Sequence, residues 1–481
     1  MSSKNAKVSS ENSHGNYAIP VRCISEATDP VVIDLSQSQT ANCYMVNGPG
    51  YYKFKANVRG NGVKEMWPYG GTQMLDISDG MSVNIQPAKV DLLWWQGDFS
   101  EMKAVDDANE IAELMCINIM YDGVLNKDGY IMFRIEKFHP GNAILAAYSA
   151  TGEILWTWHL WLTSSQPRNI NSGWRTLQDR ALGATQAPNL DGSTAVFYDH
   201  NGNPSTENEA LWATYGFYYQ WGRKDPILGT PIGASGNETA SGTTISTSPY
   251  WVKSYATGNW ERRTTMPCES QVDINESVAA PLVFYKSTAG AGAASSTSSN
   301  AQWFSSTFAD GKRNVALWGY AVDDYSQQGE DFSKTMYDPC PPGYRTAFHD
   351  VWKCDRAGAS SKYAGDDSGA EQIDWGSNPT EMSYSDYGFV TVKTFFDKAW
   401  FPYSGLRYPM SGGYAGVGSY GYLNTGMPMN TQNTRTFVYS KDGAWSRQIC
   451  GDGGGYGDSG QSLTAGAHAS AYAKPVRCMK E

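Results

Sequence analysis

The apolar positions in the first third of the chain recur with period two. Along Ile154–Thr163, Trp156, Trp158 and Leu160 fall on one face, and Thr157, His159 and Trp161 on the other. Rings of that size at strand spacing require burial on at least one side. Short runs of the same kind predict strands at Val31–Leu35, Cys43–Val46, Tyr51–Val58, Val83–Ile85, Asp91–Trp95, Ile111–Ile119, Ile131–Ile135 and Ala143–Tyr148. Asn47-Gly-Pro-Gly, Asp122-Gly, Asp128-Gly and Thr151-Gly punctuate them as turns. Strands this short and this closely spaced predict a β-sandwich over residues 30–163. His159, mid-strand among tryptophans, reads as a structural histidine.

Beyond residue 164 the periodicity weakens and the loops lengthen. Thr230–Pro249 and Lys286–Ser306 are rich in Gly, Ala, Ser and Thr and read as exposed segments. Helices are expected at Ala347–Lys353 and at one of Gly173–Arg180 or Glu207–Ala213. The pattern therefore divides into a lead-in (1–29), a sandwich (30–163) and a second, loop-rich domain (164–481). One stretch of the lead-in stands out. Tyr17-Ala-Ile-Pro-Val-Arg-Cys-Ile-Ser-Glu26 matches Tyr472-Ala-Lys-Pro-Val-Arg-Cys-Met-Lys-Glu481 at seven of ten positions. It reads as the last strand of a preceding module, or a relic of one.

Composition narrows the function classes. The chain has 481 residues with 50 Gly, 17 Trp and 30 Tyr, and charged residues make up only 18%, which suits a β-rich extracellular protein. A net charge of -11 and no long Lys/Arg run argue against a nucleic-acid partner. No apolar run approaches the length of a membrane-spanning helix. The eight cysteines are never closer than 14 residues, which removes CxxC zinc and redox motifs. Disulfides are expected, with Cys116 as a buried thiol and Cys354 with Cys450 as a further candidate pair. No His-Glu-x-x-His or Gly-x-Ser-x-Gly string is present, so an enzyme is not expected.

Several strings carry a resemblance. Ala41-Asn-Cys-Tyr-Met-Val-Asn-Gly-Pro-Gly-Tyr-Tyr-Lys-Phe, Gly141-Asn-Ala-Ile-Leu-Ala-Ala-Tyr and Ile154-Leu-Trp-Thr-Trp-His-Leu-Trp resemble the immunoglobulin-like opening of a group of Bacteroidales surface proteins. A second set follows: Asp179-Arg-Ala-Leu-Gly-Ala-Thr, Gly216-Phe-Tyr-Tyr-Gln-Trp-Gly-Arg-Lys-Asp-Pro, Tyr337-Asp-Pro-Cys-Pro-Pro-Gly-Tyr-Arg, Trp400-Phe-Pro-Tyr-Ser-Gly, Gly416-Val-Gly and Pro475-Val-Arg-Cys. In this order they resemble the Fibrobacter succinogenes major paralogous domain, of the C-type-lectin and formylglycine-generating-enzyme-like fold. The resemblance implies a mainly β or α+β chain: an Ig-like sandwich followed by a C-type-lectin-like fold with long loop insertions. It also implies a disulfide between Cys340 and Cys478. The closely spaced copper-binding cysteines of formylglycine-generating enzymes are missing here, as are the calcium-binding Glu-Pro-Asn, Gln-Pro-Asp and Trp-Asn-Asp strings of C-type lectins. No cofactor is therefore expected, and the adjacent acids Asp323-Asp324 and Asp366-Asp367 remain the places where calcium could bind.

The same fold carries the variable proteins of diversity-generating retroelements, whose last stretch is the hypervariable ligand surface. Here residues 403–472 hold 15 Gly, 8 Tyr, 8 Ser and 3 Asn among 70, the mixture used by antibody loops. The alternative is a loop-rich β-domain that needs Gly for turns and Tyr for packing. With Trp400, Phe401, Pro402, Gly405 and Gly416–Gly418 taken as scaffold, the candidate contacts are Tyr408, Tyr414, Tyr420, Tyr422, Asn424, Arg447, Tyr456, Asp458, His468 and Tyr472. The expectation is an adhesin or receptor-binding protein displayed on a bacterial cell surface, pilus tip or phage tail. Its partner would be a protein or glycan on another surface. The competing expectation is a structural pilus-tip or virion subunit using the same face for assembly.

Overall fold

A computed structural model describes residues 31–66, 74–97, 118–119, 129–135, 138–171, 175–191, 194–199, 202–240, 242–288, 302–305, 317–319, 334–347, 351, 382–385, 387–391, 397–428, 433–440 and 468–481. The chain is mainly β, and among the described residues only two short helices appear, Asn208–Trp212 and Ile274–Ala279. None of the described helices is long and apolar enough to cross a membrane.

A seven-stranded sheet organises the molecule. Its central strands, Lys89–Gly97, Gly141–Tyr148 and Ile154–Leu162, pair antiparallel, and Cys43–Val46 lies parallel to the last of them. A four-stranded sheet of Val32–Asp34, Gly50–Lys55, Tyr130–Ile135 and Asn118–Ile119 covers one face. There Phe54 packs on Tyr44 (4.4 Å between ring centroids) and on Trp158 (5.5 Å). The period-two rings of Ile154–Leu162 are buried on both faces. Opposite Phe54, His159 packs against Phe217 and the Trp161 indole donates to the Ala184 carbonyl (3.0 Å).

The seven-stranded sheet does not stop at residue 163. The hairpin Thr244–Lys253 and Trp260–Glu269 extends it, with Trp251 opposite Trp95, and Phe284–Tyr285 ends it. One expectation is corrected here, and one pair of alternatives is decided. Residues 244–249 form strand rather than exposed loop, because Ile245, Thr247 and Ser248 turn into the core. Within Gly173–Arg180, Thr176–Gln178 is strand, because it pairs with the closing strand through Leu177 and Met479. A helix does lie within Glu207–Ala213. Most of Ala347–Lys353, and Cys116, Cys354 and Cys450, fall outside the described residues.

The C-terminal half is a set of small sheets closed by the last ten residues. Ala473–Pro475 pairs with Tyr218–Gln220 and, through Ala473, with Arg407. Cys478–Lys480 lies between Thr176–Gln178 and Tyr344–Thr346. Cys340 and Cys478 form a disulfide. One core cluster runs from Cys43 to Cys478 through both halves.

Candidate functional site

The tyrosine-rich segment is organised by two hairpins. Leu406–Arg407 pairs with Tyr414–Ala415, and Tyr420–Pro428 pairs with Asn433–Ser440. The first is entered at Gly405 and turns through Gly412, both at positive φ (70° and 72°). A Cβ at either would also sit within 2.5 Å of Ala415 O or Ile245 Cγ2. These glycines serve backbone geometry, not an adaptable ligand surface.

Beneath the first hairpin stands Arg407, fully buried. Its guanidinium donates to the carbonyls of Gly412, Leu228 and Gly229 (3.0 Å each) and Ser246 (2.9 Å). Burial lowers its pKa from the usual arginine value. Four backbone acceptors stand in for a counter-ion, so removing Arg407 would withdraw four hydrogen bonds from the core.

Strand alternation then sorts the tyrosines. Leu406, Ala415, Tyr422 and Tyr472 form a small cluster of their own, with Tyr408 and Tyr420 packed half-buried against it. Tyr408 meets Tyr472 at 6.4 Å between centroids, and Tyr420 stacks on Tyr422 at 6.2 Å and 30°, both within the range for favourable ring pairs. Burial raises the Tyr422 and Tyr472 phenols well above the usual tyrosine value. The rear pair of this tetrad therefore stays protonated through the physiological range. Tyr408 and Tyr420 are its outward members.

The other expected contacts are placed differently. Tyr420, Tyr422 and Asn424 share one strand face, and that face descends into the fold. Tyr420 is half-buried, Tyr422 retains 6% of its surface and Asn424 none. Asn424 donates to the carbonyls of Tyr219 (2.7 Å) and Lys474 (3.3 Å), tying the closing strand down. Tyr422, Asn424 and Tyr472 are thus interior residues, a correction to their expected role as direct contacts. Tyr414 pairs across from Arg407, on the face opposite the tetrad, and its backbone carbonyl accepts from Glu238 N at 2.8 Å. His468 pairs with Thr434 through its backbone. Arg447, Tyr456 and Asp458, and the acids Asp323, Asp324, Asp366 and Asp367, lie outside the described residues.

Sequence reasoning missed the segment around Asn237. Gly236 bridges Val417, and Asn237 accepts from Gly416 N at 2.8 Å, so this part of the Gly/Ser/Thr-rich stretch builds the rim of the hairpin. Exposed Met410, at 52% of its full surface, lies two residues beyond Tyr408. The signal available was the stretch's composition, which cannot say which partner segment it meets.

A cavity bounded by Gln96, Asn142, Tyr215, Tyr218 and Ser248 encloses about 20 Å³, room for one water and far short of a sugar or cofactor. Lys224, lowered to about 8 by burial, pairs with Asp225 at 2.6 Å and lies 4.4 Å from the Trp156 ring. His159, lowered to about 3 by burial, holds Asn142 at 2.8 Å. Both are deep in the core. Among the described residues no group of three or more His, Cys, Asp or Glu could hold a metal ion. No family model, curated protein or solved structure matches the chain.

Proposed function

We propose that this chain is an extracellular, non-catalytic ligand-binding protein, an adhesin or receptor-binding protein on a bacterial surface or phage virion. Its binding face is the outward side of the tyrosine tetrad. The observation that carries the reading is the pair Tyr408 and Tyr420, half-exposed over the buried rings of Tyr472 and Tyr422. Rings held from behind lose little entropy on binding, and a tyrosine offers both an apolar face and a hydroxyl. Such a surface suits the faces of sugar rings or the side chains of a protein.

The family reading belongs to the same proposal. The last strand, Cys478–Lys480, lies beside Thr176–Gln178 and is bonded to Cys340, an arrangement that supports a C-type-lectin-like fold. Related sequences from one locus whose substitutions are confined to residues 403–472 would support a hypervariable surface, and uniform drift would count against it. The second reading, a pilus-tip or virion subunit, is favoured by the match at seven of ten positions between residues 17–26 and 472–481.

The test is a double variant, Tyr408→Ala with Tyr420→Ala, compared with the parent on glycan and protein arrays. About a tenfold or greater loss of affinity for the parent's best ligand is expected, with little change in melting temperature, in line with truncation of two aromatic anchors. Undiminished binding by the double variant would place the site elsewhere.

A further inference from the structure

Residues 472–481 close the fold, and seven of these positions have a defined duty. Tyr472 packs behind Tyr408, and Ala473 is fully buried between Gln220 and Arg407. Pro475 pairs with Tyr218. Val476 is core, and its carbonyl accepts from Leu182 N at 2.8 Å. Arg477 lies 4.0 Å from the Phe401 ring centre and donates to Trp400 O at 2.6 Å. Cys478 is bonded to Cys340, and Glu481 N donates to Gly343 O at 3.0 Å.

Residues 17–26 carry Tyr, Ala, Pro, Val, Arg, Cys and Glu at those same seven places. The three differences also follow burial. Buried Met479 corresponds to Ile24, and exposed Lys480 corresponds to Ser25. Lys474 is a buried amine whose hydrogen-bond partner is the Thr436 hydroxyl (2.7 Å), and it corresponds to apolar Ile19. Six of the seven shared residues stand at buried positions, exposed Glu481 being the seventh, and both buried differences carry isoleucine in 17–26. That is the pattern expected of two segments shaped by one slot.

We propose that residues 17–26 are a donor closing strand for the 472–481 slot of a second copy of this chain, with Cys23 bonded to that copy's Cys340. The segment joins the described chain at Val31, which is 85% exposed, so its tether starts at the surface and can serve a neighbour. The covalent step is thiol–disulfide exchange. The Cys23 thiolate attacks Cys340 Sγ, the Cys340–Cys478 bond breaks, and Cys478 leaves as a thiolate that takes up a proton. One disulfide replaces another with no net oxidation. Because Cys340, Val476 and Cys478 are fully buried, exchange belongs to folding and assembly, before the resident strand docks. The exchanged strand carries the ring behind Tyr408, Tyr472 or its counterpart Tyr17, but neither of the outward rings Tyr408 and Tyr420.

The test uses the whole chain. It is unfolded in denaturant with its disulfide intact, mixed with excess synthetic peptide of sequence 17–26, refolded, quenched by alkylation and mapped by mass spectrometry. A mixed disulfide between Cys23 of the peptide and Cys340 is expected, at least about tenfold above a peptide of the same composition in scrambled order, one decade being about 1.4 kcal/mol of recognition. Equal labelling by the scrambled peptide, or none at Cys340, overturns the proposal. A second measurement takes Cys478→Ser in a glutathione redox buffer. Disulfide-linked oligomers containing a Cys23–Cys340 peptide are expected, and a monomer with Cys340 capped by glutathione overturns the idea. If that variant does not fold, the first measurement still decides, since it uses the natural chain.

Discussion

Side chains within one strand face of this protein differ sharply in what they can do, and depth decides it. Tyr420 and Tyr422 are two residues apart and stacked on each other, yet one reaches the surface and the other supports it. Tyr422→Ala should therefore cost stability, about 3 kcal/mol as for other large buried rings. Tyr420→Ala should cost less than about 1 kcal/mol while weakening ligand binding. Urea midpoints at unchanged slope separate the two. Equal destabilisation would mean that both rings are core. Lys474 poses a different question. Burial with a hydroxyl partner holds its pKa well below the ordinary lysine value. Between that lowered value and the ordinary value of about 10.4, the unfolded chain binds a proton that the folded chain rejects. Stability should therefore rise with pH across this window. Lys474→Ile, the residue carried at the matching position of 17–26, removes the cost. We expect the variant to be about 1–2 kcal/mol more stable at neutral pH, with the advantage shrinking toward pH 10.4. Lys224, also lowered by burial, gives a slope of the same sign but is common to both chains and cancels in the difference. A pH-independent gap between them would show that the amine is not neutral in the fold.

At the level of elements, legibility followed periodicity. Ile154–Leu162 could be read from alternating rings alone, because Trp156, Trp158 and Leu160 on one face with His159 and Trp161 on the other admit no exposed arrangement. Thr176–Gln178 could not, since three residues hold no period and take their conformation from the distant closing strand. Thr244–Lys253 was obscured by its Ser and Thr content, which is compatible with either loop or strand until Trp95 supplies a partner. The tyrosine segment was visible as composition, but composition counts rings and does not rank their depth. Half of the eight, Tyr403, Tyr422, Tyr439 and Tyr472, are buried. The Cys340–Cys478 bridge couples two elements 138 residues apart. In the chain-entropy picture, opening a loop of that size costs about 5 kcal/mol. Melting with and without reductant, after brief denaturation to expose the bond, should show a large drop on reduction. Cys43 and Cys268, buried thiols outside the bridge, should be alkylated only on unfolding. A melting temperature indifferent to reductant would mean that the pairing adds nothing.

On the scale of the molecule, the change in texture near residue 164 marks a change of loop style rather than an edge of the core. Of the seven strands in the central sheet, three come from beyond that residue. The far face of Ile154–Leu162 is covered by Phe217 and the Ala184 region. Asn42 donates to the carbonyls of Met336 (2.7 Å) and Asp338 (2.9 Å) while accepting from the Trp156 indole (2.9 Å). A chain cut after residue 163 would keep its four-stranded cover but expose Trp94 and Trp161, which meet Phe217 and Ala184 in the whole molecule, to water. Each such ring contributes about 2–3 kcal/mol by burial, comparable in sum to the lower end of an ordinary domain's entire stability. The fragment 30–163 should therefore fail to fold alone, with dispersed native chemical shifts absent from its proton NMR spectrum. The intact chain should unfold in one transition, seen together by tryptophan fluorescence and far-ultraviolet dichroism. A folded fragment, or two separated transitions, would show that the shared sheet is an interface between independent units. The tyrosine tetrad would then rest on the C-terminal unit alone, not on a sheet to which both halves contribute strands.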